Sequence, residues 1–185
     1  MKSELYLKIP SIDDKDEWVN YIEEYKENDS TIPCGFKDGM KYEDWLRRVN
    51  NESNGILEDD RVPSSFYFLM DEGRIIGSIS VRHNLNNEFL KKYGGHIGYN
   101  IRPSERGKGF GTKMLYMALF KCDELGLEDI MVTCKKDNIA SCKVTENNGG
   151  VLFDEVFIPE EDSIFKIYWI NVFESLLDDK IGKNM

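Results

Sequence analysis

Residues 96–101 read His-Ile-Gly-Tyr-Asn-Ile, and residues 106–112 read Arg-Gly-Lys-Gly-Phe-Gly-Thr. The first run predicts a short β-strand that ends at Pro103. From Gly109 the spacing of apolar residues becomes helical, and the stripe stops at Gly126. A strand that runs into a glycine-rich turn and then a helix predicts an α/β fold.

The glycine-rich turn has the features of an anion site. Its three glycines let the backbone turn without Cβ clashes and bring several N–H groups toward one point. The helix N-terminus that follows adds about half a positive charge, so a diphosphate is a natural occupant. In the segment 102–113, Arg102, Arg106, Lys108 and Lys113 stand against Glu105 alone, which also suggests a bound anion.

Three other interpretations compete for this turn. A Walker A loop needs Ser or Thr after Gly-Lys, but Lys108 is followed by Gly109, which excludes it. A dinucleotide-binding loop needs the spacing G-x-G-x-x-G, whereas the spacing here is G-x-G-x-G. The acidic residue about 20 positions on, Asp129, also precedes its strand instead of ending it. A plain glycine-rich turn stays open as the structural alternative.

The rest of the chain supplies a single domain, residues 1–185, around one central sheet. The predicted helices cover 13–27, 42–51, Gly109 to Leu125 and a last segment that is capped by Asp137 or Asn138 and runs to Asn148. The predicted strands cover 65–70, 74–81, 96–101, 130–133, 151–157 and 164–172. No repeat or long linker divides the sequence.

Composition excludes several functional classes. The net charge of −10 argues against nucleic-acid binding. No apolar run approaches the roughly 20 residues of a membrane span, and the charged N-terminus is unlike a signal peptide, so we expect a cytoplasmic protein with no membrane partner. The four cysteines show no C-x-x-C pair and there are two histidines, which predicts neither a disulfide framework nor a metal site.

The pattern Arg106-x-x-Gly109-x-Gly111, in its strand–loop–helix context, resembles the acetyl-CoA loop of the GNAT acetyltransferase superfamily. Asn138 lies 11 residues before Gly149, as the family's last helix has its Asn before a closing glycine. The resemblance is strong over 96–150, covers 64–84 reasonably and is weak over 1–60. Several short segments of the sequence resemble those of a little-characterised bacterial branch of this superfamily.

The resemblance implies a division of the domain. Residues 1–60 become a helical acceptor-side region, 64–101 antiparallel strands, 102–150 the acetyl-CoA-binding core and 151–172 the C-terminal strands. It also implies that the strand 96–101 splays from a parallel neighbour over 130–133, within a mixed sheet flanked by helices. The cofactor-binding residues implied are Tyr99, Asn100, Ile101, Arg106, Gly107, Lys108, Gly109, Phe110, Gly111, Thr112, Asn138, Ser141 and Lys143.

The implied activity is direct transfer of an acetyl group from acetyl-CoA to a primary amine of a small molecule or peptide. Many relatives place a tyrosine acid seven residues after the helix Asn, where this chain has Thr145. Ser141 matches a serine found in one subgroup and is a candidate acid, with simple packing as its alternative. His83 and His96 are candidate bases because an imidazole titrates near neutrality; each could instead be a polar strand-end residue.

A second function class stays open, since the missing tyrosine suits an acetyl-CoA-binding sensor without turnover. Acceptor identity depends on residues 1–60 and 84–95, where the family varies most. The acidic first 60 residues could attract a cationic acceptor or form an ordinary solvated surface. Exposed edge strands over 151–172 make a homodimer plausible.

Overall fold

The computed structural model describes residues 4–28, 30–33, 35–37, 39–58 and 60–177. Its strands are β1 (Tyr6–Lys8), β2 (Ser64–Asp71), β3 (Arg74–Arg82), β4 (Ile97–Ile101), β5 (Asp129–Lys135), β6 (Val151–Ile158) and β7 (Ser163–Asn171). Its helices are α1 (Lys15–Glu27), α2 (Tyr42–Ser53), α3 (Phe110–Glu124), α4 (Ile139–Glu146) and α5 (Val172–Leu177). None of the described helices is long and apolar enough to cross a membrane. Cys34 lies outside the described residues.

The strands form two antiparallel sheets where the sequence predicted one. The first sheet has the order β1-β2-β3-β4 and the second has the order β5-β7-β6. They meet where the His96 N–H donates to the Met131 carbonyl at 2.7 Å, just before β4 begins. No hydrogen-bonded ladder joins β4 to β5 in the described chain, so the sheets separate beyond this point. The parallel orientation of the two strands stays a prediction.

One face of the first sheet is covered by α3. The predicted apolar stripe of this helix is confirmed, since Met114, Leu115, Ala118 and Leu119 are fully buried against Ile79 of β3 and its neighbours. The 3.6-residue period of α3 and the two-residue period of β3 each place their apolar side chains on one face. Packing these faces together fixes the start of α3 beside the end of β4.

The opposite face is covered by α1 and α2 through an aromatic core. Trp18 of α1 stacks on Trp45 of α2 with ring centroids 4.3 Å apart, and Phe68 of β2 lies against both rings. Aromatic side chains of this size bury much apolar area and favour offset or tilted contacts. The two acceptor-side helices are therefore anchored to the sheet through core packing.

An ion-pair cluster joins α1 to the segment after β4. Arg102 is buried and donates from Nη1 to Glu17 at 2.6 Å and from Nε to Glu24 at 2.5 Å. The Ser104 N–H also donates to Glu24, at 2.7 Å. Arg102 therefore holds α1 in place and does not contribute its charge to the neighbouring loop, contrary to what the run of basic residues suggested.

Candidate active site

The turn before α3 exposes a row of backbone donors. Gly107 and Gly109 have φ angles of 76° and 82°, which other residues adopt at a cost, and Gly109 is the N-cap of α3. None of the N–H groups of residues 107–112 has a hydrogen-bond partner among the described residues. Six adjacent free donors at a helix N-terminus form a cradle of the type that binds phosphate groups.

The two cations of this turn are engaged elsewhere. The Arg106 N–H donates to Pro103, and its Nε donates to the Ile101 carbonyl at 3.2 Å. Lys108 forms an ion pair with Glu105 at 2.9 Å. Anion binding here therefore depends on the amides and the helix N-terminus more than on the basic side chains that the sequence indicated.

β4 presents unpaired backbone groups on its outer side. The N–H of Arg82 donates to the C=O of His96 and the N–H of Arg102 donates to Ile76, so the backbone groups of residues 98, 100 and 102 face β3. The N–H and C=O groups of Tyr99 and Ile101 consequently point away from β3. The Ile101 C=O accepts Arg106 Nε at 3.2 Å, and the other three groups have no partner among the described residues. Because β4 is the edge strand of its sheet, they face the gap between the two sheets.

The start of α4 closes this gap from the other side. Asn138 caps the helix, because its Oδ1 accepts the Ser141 N–H at 3.1 Å. Ser141 Oγ lies 3.0 Å from Tyr99 Oη. Burial raises the pKa of Tyr99 to about 12, against a smaller lowering by Ser141, so the phenol keeps its proton at neutral pH. A strand tyrosine thus stands beside the helix serine.

Close contact between α3 and α4 sets this arrangement. A Cβ on Gly111 would stand 3.0 Å from Val144 Cγ2, so the two helices approach through a residue without a side chain. The Asn148 amide donates to the Thr112 carbonyl at 3.2 Å and to the Val144 carbonyl at 2.8 Å. The start of α3 and the body of α4 are therefore held in one rigid unit.

Two other predicted positions on α4 behave differently. Thr145, at the position where many relatives have a tyrosine, is buried, and its hydroxyl donates to the Ser141 carbonyl within the helix. Lys143 is exposed, and no carboxylate pairs with it among the described side chains. The Lys143 ammonium is therefore available to bind a phosphate, whereas the Thr145 hydroxyl is already hydrogen-bonded within the helix.

His96 holds the two sheets together. Its Nδ1 accepts the Met131 N–H at 2.9 Å, so its proton is on Nε2. Burial, followed by the charge of Arg82, lowers the pKa of His96 to about 4. A neutral imidazole whose free lone pair is already used has little capacity to accept a substrate proton. These contacts favour a structural role.

His83 follows the end of β3 and does not line the cleft described below. Its Nε2 lies 2.8 Å from Ser65 Oγ, and its N–H donates to Pro63. Burial lowers the pKa of His83 from its ordinary value. The structure thus brings Tyr99 and Ser141 together and leaves both histidines outside the group.

A cleft of about 610 Å³ opens on the α1–α2 side of the first sheet and ends at β4. Its floor comes from β2, β3 and β4, and its walls come from α2, the 60–62 segment and the 87–90 segment. Of these walls, α2 belongs to the region 1–60 and the 87–90 segment belongs to the region 84–95, the two regions expected to select the acceptor. The floor residues are Ser64, Phe66, Ser80, Arg82, Gly98, Tyr99 and Asn100. Tyr99 therefore borders both this cleft and the gap beside α4.

Sequence reasoning did not find Arg82, although a signal was present. Ser78, Ser80 and Arg82 alternate with the apolar residues of β3, and such a period places polar side chains on one face of a strand. Which groups this face contacts depends on how α2 docks against the sheet. The period of the sequence carries no information about that docking.

A scan against protein-family models matches the acetyltransferase (GNAT) domain over residues 5–151. No curated protein matches the chain. The family model covers the loop, β4 and α4 together, and it also extends over α1 and α2, where the sequence resemblance was weak.

Solved structures of acetyltransferases are similar in fold. RimJ of Mycobacterium smegmatis, in complex with CoA-disulfide, has a TM-score of 0.72 at 16% identity, covering 97% of this chain and 87% of that one. A GNAT-family acetyltransferase from Streptococcus pneumoniae has a TM-score of 0.65 at 16% identity, covering 91% and 99%. A spermidine N-acetyltransferase SpeG chimera, from Vibrio cholerae and hSSAT, has a TM-score of 0.62 at 18% identity, covering 94% and 99%.

Proposed function

The chain belongs to the GNAT acetyltransferase family, and from that premise we propose that it transfers the acetyl group of acetyl-CoA directly to a primary amine of a small molecule or peptide. The observation that carries this proposal is the row of six free amides over residues 107–112, beside the outer edge of β4, where the backbone groups of Tyr99 and the N–H of Ile101 have no partner among the described residues. A diphosphate fits the first group and an extended amide-containing arm fits the second.

Each part of the site would then hold one part of acetyl-CoA. The amides of residues 107–112 would hold the diphosphate, and Lys143 would contact a phosphate. The outward N–H and C=O groups of Tyr99 and the outward N–H of Ile101 would hold the pantetheine arm. Asn138 is the N-cap of α4 and would border that arm. Bound acetyl-CoA supplies a thioester whose acyl carbon an amine can attack.

The chain's own contribution is orientation and hydrogen bonding. An outward N–H of β4 would polarise the thioester carbonyl, a type of contact worth about 3 kcal/mol in acyl transfer. The hydroxyls of Tyr99 and Ser141, 3.0 Å apart, would donate to the sulfur as it leaves. A thiol of pKa near 8.5 leaves without full protonation, so a donated hydrogen bond is sufficient help.

The attacking amine must lose a proton, and the carboxylates in the described lining of the cleft are Glu52, which is already paired, and Asp60, which is exposed to solvent. Glu52 on its wall accepts from Arg61 at 2.8 Å and from Ser64 at 3.0 Å. Neither histidine faces the cleft. We therefore assign the proton to water at the open mouth of the cleft, so that the pKa of the acceptor itself governs the rate near neutral pH.

The Tyr99–Ser141 pair also bears on the sensor alternative. That alternative rested on the absence of a tyrosine at position 145, and the structure provides another tyrosine hydroxyl, that of Tyr99, beside Ser141 at the start of α4. The argument for a domain without turnover thereby loses its support, and the enzyme is the function that we propose.

Acetyl-CoA in a thermal-shift and calorimetry series tests the proposal, followed by CoA release with polyamines, aminoglycosides, amino acids and peptides. At a hundred times the dissociation constant the ligand should add about 2.7 kcal/mol, or roughly 5–10 °C for a chain of this size. Tight binding without turnover on any amine would favour the sensor. Stabilisation by NADH and not by acetyl-CoA would overturn the proposal.

A further inference from the structure

Arg82 differs from the other arginines around the cleft in its partners. Arg61 and Arg48 both pair with Glu52, at 2.8 and 3.6 Å. The Arg82 guanidinium donates from Nη1 to the carbonyls of Gly94 and Gly95, at 3.2 and 2.9 Å. Within the part of the chain that the structure describes, no carboxylate lies within 4.0 Å of it.

A partly buried guanidinium without a counter-charge is unfavourable. Removing a cation from water costs several kcal/mol unless a nearby anion offsets this desolvation energy. An arginine side chain cannot avoid the cost by losing its proton. Burial lowers the pKa of Arg82, and the more distant charge of Glu52 only partly opposes this. Backbone carbonyls satisfy one nitrogen and leave the net charge in place.

The unpaired side of this guanidinium opens into the cleft. Arg82 and Gly98 both form part of the cleft floor. A Cβ on Gly98 would lie 3.8 Å from Arg82 Nη2, so the glycine leaves room beside the guanidinium. A planar guanidinium with free N–H groups is suited to a carboxylate.

The charge of the whole cleft points the same way. Its described lining contains Arg48, Arg61 and Arg82 against Glu52 and Asp60, a positive excess in a chain whose net charge is −10. The cationic acceptor that an acidic chain could attract is therefore not what this lining favours.

We propose that the acceptor amine also carries a carboxylate, and that Arg82 binds this carboxylate and thereby sets substrate specificity. The inference rests on the proposed acetyl transfer. Gly98, beside the guanidinium, directly precedes Tyr99, and a strand rises about 3.3 Å per residue. A carboxylate at Gly98 and an amine at Tyr99 or Asn100 would be roughly 3–7 Å apart, as in free amino acids and short amino-carboxylates.

Matched substrates test this without any mutation. The wild-type enzyme is assayed for CoA release with the common L-amino acids, with their carboxamides, with the corresponding decarboxylated amines and with spermidine. The best amino acid should exceed its own amide and amine by about 10- to 100-fold in kcat/KM, the range of a charge-assisted hydrogen-bonded pair. The amides remove the carboxylate charge at nearly unchanged size, and because they also change the pKa of the amine, all rates are compared per concentration of unprotonated amine.

Two variants then assign the effect to Arg82. Arg82→Gln should lose about 10- to 100-fold in kcat/KM for the acid and leave the amide within about threefold, while Arg82→Lys should retain part of the preference. Calorimetry with CoA and a thermal melt check that each variant is folded and still binds the acyl donor. These two readouts do not depend on the acceptor.

The outcomes separate this inference from the proposed function. If carboxamides, decarboxylated amines or spermidine are acetylated as fast as the acids, the inference is overturned and the transferase stands. If acetyl-CoA neither binds nor reacts, both fail. An acid preference that survives in a folded Arg82→Gln also overturns the role of this residue.

Discussion

Replacing Gly109 with aspartate gives a direct test of the diphosphate cradle. Gly109 has a φ of 82° at the start of α3, and no heavy atom lies within 4 Å of where its Cβ would stand. A carboxylate can therefore be added without a clash. Asparagine at the same position has nearly the same shape and tolerates positive φ similarly, so the pair isolates charge. Gly111 is less suitable because a Cβ there would meet Val144 at 3.0 Å.

The expected effect follows from Coulomb repulsion. A carboxylate at residue 109 would lie about 6 Å from phosphates held by the neighbouring amides, allowing for hydrogen-bond length and side-chain reach. At that distance each unit-charge pair repels by about 0.7 kcal/mol in water and about 2.8 kcal/mol near a protein surface. Two phosphate charges would cost about 1.4 kcal/mol at the first value and about 5.6 kcal/mol at the second. Because residues 106–109 are exposed, we expect the lower part of this range, about 1.4–3 kcal/mol, or about 10- to 150-fold in affinity.

Isothermal titration calorimetry of CoA into the wild type, Gly109→Asp and Gly109→Asn measures this difference. The two variants share whatever backbone strain the substitution introduces, so their ratio reports the charge. Raising the salt from about 0.1 M to about 1 M shortens the Debye length from about 10 to about 3 Å and should reduce the ratio. S-acetylpantetheine, which lacks the diphosphate, should bind both variants equally.

Equal affinity of the two variants for CoA would refute the assignment of the loop to the diphosphate. A difference that persists with S-acetylpantetheine would also refute it, since the carboxylate would then act on another part of the ligand. Thermal melts of the free proteins should place the two variants close together, which confirms that any loss belongs to binding.

Three further predictions concern single side chains. Tyr99→Phe should lower kcat by about 100-fold and leave the KM for acetyl-CoA within about threefold, measured by steady-state CoA release; an unchanged kcat would exclude the phenol as proton donor. His83→Gln should change kcat/KM by less than about threefold, and the pH–rate profile should keep rising from pH 6 to 8 without an inflection near 6.5. A hundredfold loss of kcat/KM would instead identify His83 as a base. Burial raises the pKa of Glu24, but hydrogen bonds from Arg102 and Ser104 outweigh it and hold this pKa at about 2, below the ordinary 4.5. The stability that Glu24 provides is therefore present above pH 4.5 and lost as the pH falls toward 2. Glu24→Gln should lower the free energy of unfolding by up to about 3 kcal/mol at pH 7 and by much less at pH 3. An equal loss of unfolding free energy at both pH values in urea melts would contradict this.

The sequence by itself determined the elements and the glycine turn. The helices 42–51 and 109–125 and the strands 65–70 and 74–81 lie within one or two residues of their places in the structure, and Asn138 is one of the two caps that the sequence offered for α4. Each depends on local rules, namely the period of apolar residues, the cap and the glycine, which a short stretch of chain contains in full.

The strand β1 could not be predicted from such local rules. Three residues, Tyr6–Lys8, are too few for a period, and they become a strand because β2 offers them an antiparallel edge. The division into two sheets is of the same kind, since it depends on where β4 stops pairing with its neighbour.

The partners of the charged and polar side chains were decided only by the tertiary structure. Arg102 meets Glu24 across 78 positions, and Tyr99 meets Ser141 across 42. The fold also surrounds Arg82 with backbone carbonyls and provides no carboxylate among the described residues. The sequence does not say which group a charged side chain will contact, because burial and pairing are set when distant elements dock. An arginine can therefore either join two elements of the fold or bind a ligand.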